Sequence, residues 1–211
     1  MQILSLESID STQTYLLDAL KRKELSSPVC VTARRQESGR GSRGNSWSGE
    51  EGNLFFSFSM ARNELPGDLQ LESSSIYFTF LLKEMLAEMG SDLWLKWPND
   101  FYLGDKKIGG AITNLYKEIL VCGIGLNTKI APDGFAKLDL EIENEVLLQA
   151  YFAILKNPPS WKNVFSNYAL EFDRSRSYFT HIGNRKISLK NAQLLDDGSI
   201  ESEGQRMFSL R

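Results

Sequence analysis

Three stretches of this chain hold residue types that can do chemistry at short spacing. The first is Gly39-Arg40-Gly41-Ser42-Arg43-Gly44, with Trp47 close behind. Glycines let backbone N–H groups approach an anion. Two guanidinium groups can clamp phosphate or carboxylate oxygens, and an indole offers a flat face to a nucleobase. The stretch lacks the Gly-Lys-Ser/Thr ending of a P-loop. The second is Lys96-Trp97-Pro98-Asn99-Asp100, followed by Lys107 and Gly109-Gly110. Pro98 fixes a turn, Asn99 offers an amide, Asp100 can hold Mg²⁺ or pair with Lys96, and Lys107 is a fixed positive charge. The third is Gly123-Ile124-Gly125-Leu126-Asn127, where spaced glycines and an amide could lie against a nucleotide. Each has a plain structural alternative: solvated arginines on a surface loop, an ordinary hairpin with solvent lysines, and a strand end with a bulge. Ser11-Thr12 adds a fourth candidate, two hydroxyls that either cap a helix or meet a polar ligand.

The elements that must position these residues follow from periodicity. Asp10 to Arg22 reads as a helix, with Asp10 as cap, Gln13 as capping-box partner and an apolar stripe at Tyr15, Leu16, Ala19 and Leu20. Val29 to Ala33 reads as a strand, and the glycine-rich Glu37 to Asn53 as a loop. Leu54 to Met60 alternates, which predicts a strand with Ser57 and Ser59 on a wet face. Ser73 to Met89 is an apolar helix stopped by Gly90. Leu93 to Trp97 is a strand ended by Pro98, Tyr102 to Leu115 a hairpin around Gly104-Asp105, and Ile119 to Ile124 a strand. Helices follow near Asn144 to Lys156 and after Pro159, the latter burying Trp161, Val164, Phe165, Tyr168 and Phe172. Beyond Arg174 the pattern turns to short strands, with a hairpin signal at Asp197-Gly198. The fold class is α+β, a mixed or antiparallel sheet packed on helices, with a main domain over 1–174 and a small β domain over 175–211.

Bulk properties narrow the function. The 211 residues are 42% hydrophobic and 24% charged, which suits a globular chain with a buried core. A net charge of -3 disfavours nucleic acid as the main partner. No apolar run approaches a membrane span, and no signal peptide is visible, so a cytoplasmic location and no membrane partner are expected. Cys30 and Cys122 lie in apolar runs, and two Cys with one His make a zinc site improbable.

Together and in this order, Ile9-Asp10-Ser11-Thr12, the Gly39–Gly44 stretch with Trp47, Lys96–Asp100, Lys107-Ile108-Gly109-Gly110 and Gly123–Asn127 resemble the biotin–protein ligase family. The resemblance is detailed over about the first 128 residues and general beyond them. It implies a biotin/lipoate ligase-like catalytic domain with an SH3-like C-terminal barrel, in the class without an N-terminal DNA-binding domain. It implies that biotin and ATP form biotinyl-5′-AMP, with Mg²⁺, before biotin passes to a lysine of a biotin carboxyl carrier protein. A homodimer is a possible assembly, and the sequence leaves the oligomeric state open. By resemblance Ser11, Thr12, Gln36, Gly39, Arg40, Lys107 and Gly110 bind biotin. Arg40, Arg43, Trp47, Asn99, Asp100, Lys107 and Asn127 serve ATP. Lys107 and Arg40 are the catalytic pair, and Asp100 is the candidate for Mg²⁺. The chemistry needs no nucleophilic side chain, because both nucleophiles come from substrates.

Many relatives have Arg where this chain has Ser42, which predicts weaker retention of the adenylate or a compensating cation nearby. Three other readings stay open on the residues: a lipoate–protein ligase, expected to lack Lys-Trp-Pro-Asn-Asp, a non-catalytic regulator that binds biotin or a nucleotide, and a nucleic-acid-binding regulator, disfavoured by the charge.

Overall fold

A computed structural model describes residues 1–41, 46–182 and 185–208. The Ser42 and Arg43 expectations lie outside the described residues, as does Gly44. The main body is an eight-stranded sheet in the order β1-β2-β4-β8-β7-β6-β5, with β3 paired to β2 off that path. The strands are β1 (Gln2–Ile9), β2 (Val29–Arg40), β3 (Ser46–Gly49), β4 (Leu54–Ala61), β5 (Trp94–Lys96), β6 (Asp100–Leu103), β7 (Lys106–Tyr116) and β8 (Ile119–Leu126). Only the β1–β2 pair is parallel among the described strands. A parallel pair needs a crossover of a dozen or more residues, and helix α1 (Thr12–Lys21) supplies it.

Both sheet faces are covered. On one, Leu16 and Leu20 of α1 pack on Val29, Val31 and Val121. On the other, helices α2 (Ser74–Glu88), α3 (Asn144–Ile154) and α4 (Trp161–Glu171) enclose the larger core. Its centre is aromatic: Phe58 meets Phe78 edge-on at 5.0 Å and Tyr151 at 5.9 Å. This double cover corrects the reading of β4. Ser57 and Ser59 were expected to face water, yet both are fully buried. The α1 layer lies over them, and their hydroxyls are bonded, Ser57 with Thr12 at 2.9 Å and Ser59 as acceptor from the Val29 N–H at 3.2 Å.

Other departures have equally local causes. The stretch 37–53 is not a loop throughout. β2 continues to Arg40 and folds back as β3, with a bulge between Gln36 and Gly39 that masks the alternation. The cap of α1 is Ser11, whose hydroxyl accepts from the Thr14 N–H at 3.5 Å; Gln13 turns inward to the sheet instead of serving a capping box. Pro159 stands before the cap of α4, Ser160. β1 was not anticipated.

The expected β tail is present as two small antiparallel sheets, β9 (Phe179–Ile182) with β10 (Arg185–Ser188), and β11 (Gln193–Leu194) with β12 (Ile200–Ser202) and β13 (Gln205–Met207). Its Ile187, Leu189, Ala192, Ile200 and Met207 join the main core. β5 closes the far edge of the large sheet. Its outward Leu95 N–H finds no further strand and donates to the Glu171 carboxylate at 2.5 Å, which also pairs with Lys83. Edge groups satisfied by side chains in this way resist pairing with another chain.

Two outcomes follow. Glu171→Ala leaves the Leu95 N–H without its acceptor and Lys83 with only Glu84 as partner, and should cost about 1–3 kcal/mol of unfolding free energy in urea titration. The second concerns acid. Burial works to raise the Asp197 carboxyl, but hydrogen bonds from Ser199 and the Arg206 ion pair outweigh it and hold Asp197 below the usual carboxylate range. Its contribution is therefore fully present above the unfolded value of about 4 and lost as the pH falls through the depressed folded value. Unfolding free energy measured from pH 6 downward should fall less steeply in Asp197→Asn.

Candidate active site

A cavity opens on the α1 side of the sheet, where the start of α1 meets β2, β4, β7 and β8. Ser11, Thr12, Gln36, Arg40, Trp47, Asp100, Lys107 and Gly110 line it, so residues scattered over 100 positions converge on one place. The closed end is polar and already organised. Gln36 Oε1 accepts from the Thr12 N–H at 2.8 Å and the Thr12 hydroxyl at 3.2 Å, and Thr12 shares its hydroxyl with Ser57 at 2.9 Å. The parallel pairing of β1 with β2 is what brings this about: it sets Ile9 beside Gln36, so the helix start emerges next to that side chain.

Gln13 completes the floor. Its Nε2 donates to Asn114 Oδ1 at 3.0 Å and to the Val121 carbonyl at 3.2 Å, while its Oε1 is buried with no hydrogen-bond partner among the described residues. A buried acceptor left over in a lined cavity calls for a donor. Gly123 and Gly125 keep the floor open. A Cβ on Gly123 would lie 2.5 Å from Gln13 Oε1 and 2.9 Å from Ser57 Oγ, and one on Gly125 would lie 2.7 Å from Trp47 Nε1.

The other end is ionic. Lys107 Nζ donates to Asp100 Oδ1 at 2.6 Å, and Lys96 Nζ stands 3.4 Å from Oδ2. β6 and β7 create the meeting, since Asp100 pairs with Gly110 in register and Lys107 lies beyond the bulge. Burial would raise the Asp100 carboxyl, but the two ammonium groups win and hold it below the ordinary range. Lys107 also lies 5.6 Å from the centroid of Trp47, whose ring meets Phe135 edge-on at 6.2 Å. Arg40 is exposed at the rim.

Three expected ligand residues, Asn127, Asn99 and Gly39, are not in the cavity's lining. Asn127 is 1% exposed; its amide donates to the Ala136 carbonyl at 3.2 Å and its oxygen accepts from Asn53 at 3.4 Å. Asn99 spends its amide on the Ala111 carbonyl at 2.6 Å. Both hold backbone in place, and buried amides with protein partners on hand take them. Gly39 pairs with Trp47 across β2 and β3. Among the described residues no three His, Cys, Asp or Glu side chains gather as metal ligands. Asp100 is already held between two lysines, and the described residues form no magnesium cage. Sequence reasoning missed Gln13, Ser57 and Phe135. The alternation of Gly123 and Gly125, which share one strand face, was the available signal that this face is approached closely.

The chain matches the model of the biotin/lipoate A/B protein ligase family over residues 5–129, more than half of its length. It is 35% identical over 126 residues to the bifunctional ligase/repressor BirA of Escherichia coli, a stretch covering 56% of this chain but only 38% of that protein. Among solved structures it is similar to a biotin acetyl-coenzyme A carboxylase synthetase from Helicobacter pylori with bound biotinylated ATP. The identity is 42%, 98% of this chain and 99% of that one are covered, and the TM-score is 0.94. It is also similar to the biotin protein ligase from Aquifex aeolicus in complex with biotin and ATP, at 26% identity over 100% and 98% of the two chains and a TM-score of 0.74. The chain thus belongs to the biotin/lipoate A/B protein ligase family, and within it to the biotin protein ligases.

Proposed function

We propose that this chain is an ATP-dependent biotin–protein ligase acting in the cytoplasm on the biotin carboxyl carrier protein of a carboxylase, with 1–174 as the ligase unit and 175–211 as a small β unit. The observation that carries the reading is the two-ended cavity: a prearranged polar floor at one end and the Lys107–Asp100–Lys96 cluster at the other. Biotin has the matching shape, a ureido ring with two N–H donors and one acceptor joined by an apolar chain to a carboxylate. The unpartnered Gln13 Oε1 accepts a ureido N–H, directly or through a water, while Ser11, Thr12 and Gln36 surround the ring. The dithiolane of lipoate brings no N–H donor and would leave that acceptor buried and unpaired.

In the first step the biotin carboxylate attacks the α-phosphorus of ATP and pyrophosphate leaves. Two anions must meet, and Lys107 stands where they do; its ammonium offsets the growing charge. Asp100 retains Lys96 as Lys107 turns to the ligand. Arg40 at the rim holds phosphate oxygens, Arg43 serves the same end, and Trp47 covers the adenine. Gly110 forms pocket wall, while Asn99 and Asn127 support the nucleotide side through the backbone they hold. In the second step a carrier lysine amine attacks the acyl carbon and AMP leaves.

Incubation with ATP, a carrier domain and either biotin or lipoate, followed by mass spectrometry, should show the carrier gaining the mass of biotin only. A folded sample that modifies nothing would favour a binding module instead. Lys107→Ala should lose adenylate formation by a hundredfold or more, on the order of an electrostatic catalytic contact, while still unfolding cooperatively. Gly123→Ala should weaken biotin binding at least about tenfold by calorimetry, because Gln13 has to leave the floor; unchanged affinity would remove Gln13 from the site.

A further inference from the structure

One turn of the C-terminal strands grips three separate elements of the ligase body. Between β11 and β12, three successive carbonyls each receive a side-chain donor. Trp161 Nε1 donates to the Asp196 carbonyl at 2.8 Å, Ser73 Oγ to that of Asp197 at 2.5 Å, and Trp97 Nε1 to that of Gly198 at 2.8 Å. The turn is itself stiff. The Gly198 N–H donates to the Leu195 carbonyl at 2.7 Å and the Leu195 N–H to that of Ser199 at 2.8 Å. The buried Asp197 carboxylate takes the Ser199 N–H, the Ser199 hydroxyl and the Arg206 guanidinium.

Of the three donors, Trp97 leads to the site. It is fully buried, lies between Lys96 and Asp100 in the chain, and is held a second time where its backbone N–H donates to Ser175 Oγ at 3.0 Å. Lys96 and Asp100 are cross-strand partners on β5 and β6, and Asp100 carries Lys107. The short segment 96–100 is therefore pinned from outside by 175 and 198, and presents its carboxylate inward.

We propose that Trp97 is a positioning residue for adenylate formation, acting from its two anchors, the Gly198 carbonyl and the Ser175 hydroxyl, through Asp100 on Lys107. This inference rests on the ligase reading above and extends it: the C-terminal turn sets the place of the phosphate-side charges. The floor of the cavity is independent of it, because Gln36, Thr12 and Ser57 bond to one another across α1, β2 and β4. A disturbance at 97 should therefore fall mainly on ATP, which meets the charged end, and less on biotin, whose ring keeps the floor.

The test is steady-state pyrophosphate release with biotin and ATP varied in turn, without carrier. Trp97→Phe keeps a ring in the core and removes the indole N–H. Ser175→Ala removes the backbone acceptor at a site that a small side chain fills, and remains readable if the Trp97 variant fails to fold. Ser175→Thr restores a hydroxyl. The expected result is a KM for ATP raised about tenfold, the weight of one buried hydrogen bond, with the KM for biotin within twofold of wild type and Ser175→Thr near wild type. A loss of kcat that matches a loss of folded protein, with both KM values unchanged, would mean a structural role only, which overturns the proposal; so would an equal rise in both KM values. Wild-type protein that releases no pyrophosphate would overturn the ligase reading and this inference with it. Active wild type with unaffected variants overturns the inference alone.

Discussion

Asp100 is the group on which the arrangement turns. It is one carboxylate between two ammonium groups, set on a hairpin whose backbone leaves it no freedom to retreat. Removing a charge from water is costly unless its partners stand at the right distance. The sheet supplies that distance twice, through β5 for Lys96 and β7 for Lys107. A site that must bring two anions together needs its cations placed in advance, and a carboxylate shared between them keeps them close without neutralising both. The polar floor meets a different demand, hydrogen bonds instead of charge. It is built on different strands, so one cavity offers two unlike environments.

Much of this was legible in the sequence, because chemistry was concentrated in short runs. Asp100, Lys107, Gly110, Ser11 and Thr12, drawn from three of those runs, line one cavity. Helices with clear apolar stripes fell where periodicity put them. What escaped was whatever depended on a distant layer. Whether Ser57 faces water or a helix is not written in 54–60; it depends on where α1 lands. β1 hides for the same reason: it is half-exposed on an edge and takes its strand character from β2. The β2–β3 hairpin was lost to its own bulge, since a one-residue slip destroys the alternation by which strands are recognised.

Asparagines were the least legible residues. Asn99 and Asn127 sit in motifs that look made for ligand contact, and both are used to tie backbone to backbone. An amide has donors and an acceptor that serve either purpose equally well. Gln13 is the reverse case, a presumed cap partner that keeps an unused acceptor in the cavity. For amides, the partner inventory decides between scaffold and ligand, and only the folded chain supplies it.

The two cysteines have a consequence for how this molecule can be watched. Both are free, fully buried and on central strands, β2 and β8, with β4 between them; burial pushes the Cys30 thiol up to about 12 and raises Cys122 as well. With a thiol at that value, about one molecule in 10⁵ carries a thiolate at neutral pH, and none of it meets solvent while the sheet is closed. An alkylating reagent added to the native protein therefore reads the opening of the central sheet, not local breathing of the surface. The core carries its own clock, and ligands that tighten the sheet should slow it.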